Sequence, residues 1–217
     1  MLQNSELVVY LLIGITVFVS YKGFNDYGFF ERYKFQITRI LNGDKVRMVT
    51  SGFLHADWIH LGLNMYVLYM FGINVVWVLG KLPFLIIYFG SLLAGSAYAL
   101  FYHRREPYYS AIGASGAVSG IVYAFILLFP QEDLYLFFIP IGIPGYIFGV
   151  AYLLFSIYGM KNSVGNIGHS AHLGGAIGGY VLTLILSPGV IEENLLFVII
   201  LSMPILFLIF FGKKFNT

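Results

Sequence analysis

Ser115 stands in Gly113-Ala114-Ser115-Gly116, at the head of an apolar stretch whose composition belongs inside a lipid bilayer. A serine hydroxyl flanked by small residues, together with His172 on a later apolar segment, points to nucleophilic chemistry carried out within the membrane. Histidines occur at positions 55, 60, 103, 169 and 172, and an ionisable side chain in a membrane is costly enough to signal function. His55, His60 and Asn64 lie at the start of another apolar segment. The interval of four between His60 and Asn64 puts both on one helix face, where they can donate hydrogen bonds to one small anionic atom.

The elements that must position these groups follow from composition. With 59% hydrophobic and 10% charged residues and a mean hydropathy of +0.84, the chain of 217 residues is an integral membrane protein. No ten-residue alternation of a membrane barrel occurs, so the expected fold is an all-α transmembrane bundle. Apolar segments run from Leu7 to Tyr21, Ile59 to Leu79, Leu82 to Tyr102, Ser115 to Phe129, Gly145 to Tyr158, Ala171 to Leu186 and Leu195 to Phe211, predicting about seven helices. The first lacks a basic n-region and a small-residue cleavage site, and reads as a retained helix instead of a signal peptide. From Lys22 to Trp58 the connection carries six basic residues among Tyr27, Phe29, Phe30, Tyr33 and Phe35, and is expected to lie in the interface. The sequence reads as a single membrane domain, 1–217, with a core of about 7–186 and an extra helix at about 195–211. Absence of cysteine excludes disulfides and thiolate metal sites, and a net charge of +2 is too small to argue for nucleic acid.

The fourth segment is short. Too few residues separate Ser115 from Pro130 to span the hydrocarbon core, so this helix should begin part-way into the membrane, with its N-terminus in a cavity. Irregular backbone such as 111–114 is tolerated at that depth only if it is buried in protein or lines water. Gly113, Gly116 and Gly120 let neighbouring helices approach and leave backbone N–H groups free, although small residues also serve ordinary helix packing. The sixth segment, Gly168-His169-Ser170-Ala171-His172-Leu173-Gly174-Gly175 followed by Gly178-Gly179, repeats small residues at spacing four, and close packing on the serine-bearing helix would set His172 beside Ser115. Because helices alternate direction, the N-termini of the second, fourth and sixth face one side. His60 with Asn64, Ser115, and His172 each lie near one of them.

These residues resemble the rhomboid intramembrane serine proteases, a resemblance carried by the run from His55 to Asn64, by Gly113-Ala114-Ser115-Gly116 and by Ala171-His172-Leu173-Gly174-Gly175. It is similar to the bacterial type, with a six-helix core plus one C-terminal helix. Arg47 fits the arginine that ends the family's first loop, although Val46 stands where a tryptophan is usual. The resemblance implies a Ser115–His172 dyad with nucleophile and general base in those roles. It also implies an oxyanion hole from His60, Asn64 and the Ser115 backbone N–H, each donor contributing roughly 10²- to 10³-fold in rate. His55, Gly113, Gly116 and Ser119 are expected to support the site, His55 by bracing the first loop. Ser119 departs from the family pattern, in which an aromatic residue one turn after the nucleophile stacks on the catalytic histidine. It is expected either to hydrogen-bond His172 or to make room for another packing residue. His103 and His169 read as interfacial side chains.

The family topology implies a cytoplasmic N-terminus, with the active site opening to the extracytoplasmic side. Lys22, Arg32, Lys34, Arg39, Lys45, Arg47, Arg104, Arg105, Lys161, Lys213 and Lys214 then lie outside and only Lys81 inside, in conflict with the positive-inside rule. We side with the family topology. Short loops and no targeting extension lead us to expect a prokaryotic plasma membrane. The expected partners are the lipid bilayer and transmembrane protein substrates, with a small residue before the scissile bond. The fifth segment, with Pro140, Pro144 and Gly145, and the loop from Gly159 to Gly168 form a candidate gate. No cofactor and no metal is expected, because His-Glu-x-x-His is absent. The alternative is a catalytically silent rhomboid-like protein that binds membrane helices. The sequence assigns no oligomeric state.

Overall fold

The computed structural model describes residues 5–135, 140–162, 164–165 and 168–211. Lys213, Lys214 and three positions of the candidate gate loop, 163, 166 and 167, lie outside the described residues. In chain order the helices are α1 (Leu7–Asn25), the short α2 (Tyr27–Tyr33), α3 (Ile37–Leu41) and α4 (Arg47–Thr50), then α5 (Trp58–Leu79), α6 (Lys81–Tyr102), α7 (Ser115–Leu128), α8 (Gly145–Asn162), α9 (His169–Leu186), α10 (Gly189–Glu193) and α11 (Leu195–Phe211). The seven long ones coincide with the seven apolar segments. Among the described residues α1, α5 and α6 are long and apolar enough to cross a membrane, and α7 and α11 are shorter apolar helices. The molecule is an all-α membrane helical bundle with two small additions that hydrophobic periodicity does not signal. Strand β1 (Phe35–Gln36) pairs antiparallel with β2 (Ser110–Ala111), and β3 (Asp133–Tyr135) with β4 (Gly142–Pro144).

The helix α7 is the axis of the bundle. Its 14 residues extend about 21 Å, short of the roughly 30 Å hydrocarbon core, and 11 of them are buried. It packs against α5, α6 and α9, while α8 leans on α9 and α11. Small residues allow the tightest of these approaches. A Cβ at Gly116 would lie 3.3 Å from the Ala171 carbonyl oxygen, and one at Gly95 would lie 2.5 Å from the same atom. Side chains at Gly175 and Gly179 would collide with the backbone of Gly116 and Gly120. Without a hydrophobic drive inside lipid, van der Waals contact of this kind is what holds helices together.

The first loop is built, as its aromatic anchors predict. Phe35, Ile37 and Ile40 form a small core with Ala99 of α6. Arg47, 6% exposed, donates from Nη1 to the carbonyls of Glu31 and Lys34, both at 2.9 Å, and pairs through Nε with Asp44 at 2.6 Å. Trp58 closes the loop against Phe24, with ring centroids 4.9 Å apart. The loop thus runs through β1 to β2, immediately ahead of Gly113.

Candidate active site

The candidate side chains cluster at or near the starts of α5, α7 and α9. Asp57 caps α5, accepting a 2.8 Å hydrogen bond from the His60 backbone N–H, and fixes the turn that carries His60. Asn64, one turn on, is buried, and its Nδ2 donates to the His60 carbonyl at 2.9 Å. A carboxamide has two N–H donors, so one is left for a ligand.

The start of α7 has no side-chain cap of its own. The Ala114 N–H instead donates to Nε2 of His55 at 3.3 Å, and His55 Nδ1 meets Ser20 Oγ of α1 at 2.9 Å. Ser20 spends its own proton on the Phe53 carbonyl at 2.8 Å, so it accepts from Nδ1–H and the neutral tautomer of His55 satisfies every partner. Burial, reinforced by the neighbouring His60, depresses the His55 pKa to about 3 against a small opposing pull from Asp57. His55 therefore ties α1 to the turn that carries Ser115, as well as bracing the loop.

Gly113 has φ +119, a conformation that favours glycine, and its missing side chain is needed for space as well. A Cβ there would lie 2.9 Å from His60 Nε2 and 3.7 Å from Ser115 Oγ. The imidazole of His60 and the Ser115 hydroxyl thus border one small volume. A long 3.5 Å hydrogen bond from the Ala56 N–H to Nδ1 leaves the His60 proton on Nε2, the nitrogen facing that volume. The N–H groups of the first turn of α7, Ser115 included, have no intrahelical acceptor.

Ser115 and His172 each lie one residue from a close backbone contact, that of Gly116 on Ala171. A cavity of about 30 Å³, lined by Gly113, Ser115, Gly116, Gly168 and Ala171 among others, has room for one water. Among the described contacts no Ser115–His172 hydrogen bond is formed. Two larger spaces lie nearby. An apolar cavity of about 230 Å³, between Tyr66 and Phe71 of α5 and Phe148 and Tyr152 of α8, reaches Ser115 and Ser119. On the other side a cavity of about 480 Å³ is lined by His60, His103, Glu106, His169 and Ser170.

Ser119 does not bond His172. Its hydroxyl donates to the Ser115 carbonyl at 2.7 Å and accepts from the Tyr152 hydroxyl at 2.5 Å, and the Tyr152 ring stacks on His172 at 6.3 Å between centroids and 13° between planes. Sequence reasoning missed Tyr152, because α8 also carries Tyr146, Phe148, Phe155 and Tyr158 and nothing in its spacing separates one aromatic from the others. The gap left by Ser119 was the only signal. His103 and His169 also differ from the interfacial reading. His169 is 4% exposed with Nε2 at 3.0 Å from the Val164 carbonyl. His103 contacts Glu106 at 2.9 Å and Ser170 at 3.1 Å, and stacks on Tyr109 at 3.6 Å. Both steady the start of α9. Pro144, at the start of the candidate gate segment, belongs to β4, which pairs with β3 just ahead of α8.

Fold and site together define a polytopic helical membrane protein with Ser115 at the start of α7 and His172 in the first turn of α9, two helices in close backbone contact. The Rhomboid domain model matches residues 42–189, more than half of the chain, and the chain belongs to the rhomboid family. It is 30% identical to mitochondrial Rhomboid protein 1 of Saccharomyces cerevisiae over 86% of this chain and 55% of that one. With mitochondrial RHOMBOID-like protein 12 of Arabidopsis thaliana it shares 32% identity over 81% and 56%, respectively. With the rhomboid protein YdcA of Bacillus subtilis it shares 33% over 67% and 69%. The chain spans about half the length of the first two relatives. The expected prokaryotic plasma membrane is corrected by these matches, since the relatives covering most of the chain are named as mitochondrial; they do not bear out the bacterial type. Loop length was a poor guide, since short connections follow from helix packing in any membrane.

Proposed function

We propose that the chain is an intramembrane serine endopeptidase of a mitochondrial membrane, acting on transmembrane segments of other proteins. The observation that supports this reading is the Gly116–Ala171 contact, one residue from Ser115 and one from His172, with His60 Nε2 and the Ser115 hydroxyl both facing the space at Gly113. In the reaction, His172 accepts the Ser115 proton as Oγ attacks the scissile carbonyl. The oxyanion is met by His60 Nε2–H, the free Asn64 N–H and the Ser115 backbone N–H. His172 then protonates the leaving amine, and a water activated by the same imidazole releases the acyl group. The two larger spaces divide the labour: the apolar one, between α5 and α8, suits substrate side chains, and the His-lined one suits water. A substrate helix must unwind before its carbonyl is exposed, so Gly or Pro near the bond lowers that cost.

The test is labelling of the detergent-purified protein with a fluorophosphonate probe, comparing wild type with Ser115→Ala and His172→Ala. Loss in both variants supports the reading. A silent helix-binding protein is the second reading, favoured by the unformed Ser115–His172 hydrogen bond; a folded wild type that takes no label would put it first.

A further inference from the structure

His172 needs something to hold its ring, and no Asp or Glu does so among the described contacts. Three side chains from three helices converge instead. Tyr152 of α8 lies nearly parallel to the imidazole, 13° between planes at 6.3 Å between centroids, within the range of offset stacking. Its hydroxyl donates to Ser119 of α7 at 2.5 Å, and Ser119 in turn donates to the carbonyl of Ser115 at 2.7 Å. On its other flank His172 meets His169 edge-on, at 6.4 Å and 69°. A path of contacts therefore runs from the backbone of the nucleophile, through two hydroxyls, to the plane of the base.

We propose that Tyr152 is the positioning residue of His172, its ring fixing the imidazole plane and its hydroxyl keying that plane to the Ser115 turn through Ser119. The proposal rests on the protease reading above. A small residue at position 119 is then a requirement and not a gap, since a larger one would occupy the place where the Tyr152 hydroxyl docks. The arrangement also makes the dyad sensitive to α8. Tyr152 walls the apolar cavity beside Ser115, as Phe148 does one turn earlier. A displacement of α8 that widens the cavity unstacks Tyr152 from His172, so the site is aligned only with α8 seated. Substrate admission and alignment of the base are thereby coupled through one side chain.

The experiment measures the fluorophosphonate labelling rate of the full chain in detergent for wild type, Tyr152→Phe, Tyr152→Leu, Ser119→Ala and the Tyr152→Phe/Ser119→Ala pair, each with its unfolding temperature. Histidine-labelled protein reports the His172 ring resonances in parallel. Tyr152→Leu is expected to label about tenfold more slowly while folded, and Tyr152→Phe to stay within about threefold, since the ring is kept. The double variant should be no slower than the slower single one, because both remove the same hydrogen bond. The His172 resonances should move in Tyr152→Leu and stay near wild type in Tyr152→Phe. A folded Tyr152→Leu that labels at the wild-type rate with unmoved resonances overturns the proposal. If Tyr152→Leu does not fold, additive slowing in the Phe/Ala pair does so instead. An unlabelled wild type would sink the protease reading, and the resonances would still decide whether Tyr152 sets the His172 ring.

Discussion

The imidazole of His60 occupies the space that a side chain at Gly113 would need: a Cβ on Gly113 would sit 2.8 Å from His60 Cε1 and 2.9 Å from Nε2. One glycine thus serves two ends, turning the backbone at φ +119 into α7 and admitting a hydrogen-bond donor to the Ser115 hydroxyl. Gly113→Ala must therefore strain the turn and push His60 away at once. A side chain in that conformation costs about 1–3 kcal/mol, and labelling of Ser115 should fall further than the loss of stability explains. Unfolding temperature and labelling rate on the same sample separate the two; unchanged labelling would show that His60 need not face Ser115.

The proposed oxyanion donors should show themselves in turnover more than in substrate affinity. His60→Ala and Asn64→Ala are each expected to lower kcat by about 10²- to 10³-fold with little change in KM, as groups that act on charge developing in the transition state do. Cleavage of a reconstituted transmembrane substrate measures this. A rise in KM with kcat intact would move both residues from chemistry to binding.

His55 gives the fold an acid-sensitive joint. Its folded pKa, about 3, lies below the ordinary value of 6.5, so between those limits the unfolded chain binds a proton that the folded one refuses. Its stabilising contribution is complete above about pH 6.5 and is lost as pH falls toward 3. Unfolding temperatures taken at pH 7.5, 5.5 and 4.5 should decline more steeply in wild type than in His55→Gln. Equal slopes would mean that the Ser20–His55–Ala114 link does not hold the neutral ring.

The contact of α7 on α9 should be intolerant of a single methyl group. Gly175→Ala drives a Cβ into the Gly116 backbone, an overpacking that costs about 1–3 kcal/mol, and it parts Ser115 from His172. Gly62→Ala, where a Cβ meets nothing within 4 Å, is the control and should leave unfolding and labelling unchanged. If Gly175→Ala behaved like the control, helix proximity would not be what aligns the pair.

Much of the architecture could be read from hydropathy because a bilayer permits so few alternatives. The seven segments became the seven long helices, and the brevity of the segment at Ser115 announced the short α7. The candidate site was legible to the extent that the five histidines are few and several fall near helix starts, whereas small residues are common in such a chain. What escaped was everything set by side chains meeting from distant positions: Tyr152 on His172, His55 on Ala114, His103 on Ser170. The short β1–β2 ladder escaped for a different reason, since strands of two residues carry no period to detect. Charge counting is blind to such ties: Arg47 is spent on the Glu31 and Lys34 carbonyls and works as a structural link within the loop, whatever side of the membrane it lies on.

The enclosure of α7 has a consequence for how the molecule is made. A helix about 21 Å long with 11 of its 14 residues covered has neither the length nor the outward surface to settle in lipid by itself. It can enter the bilayer only as passenger of the hairpins around it, once α5 and α6 are in place and α9 closes from behind. The helix starts that carry Ser115 and His172 can therefore come into register only after the surrounding helices have packed.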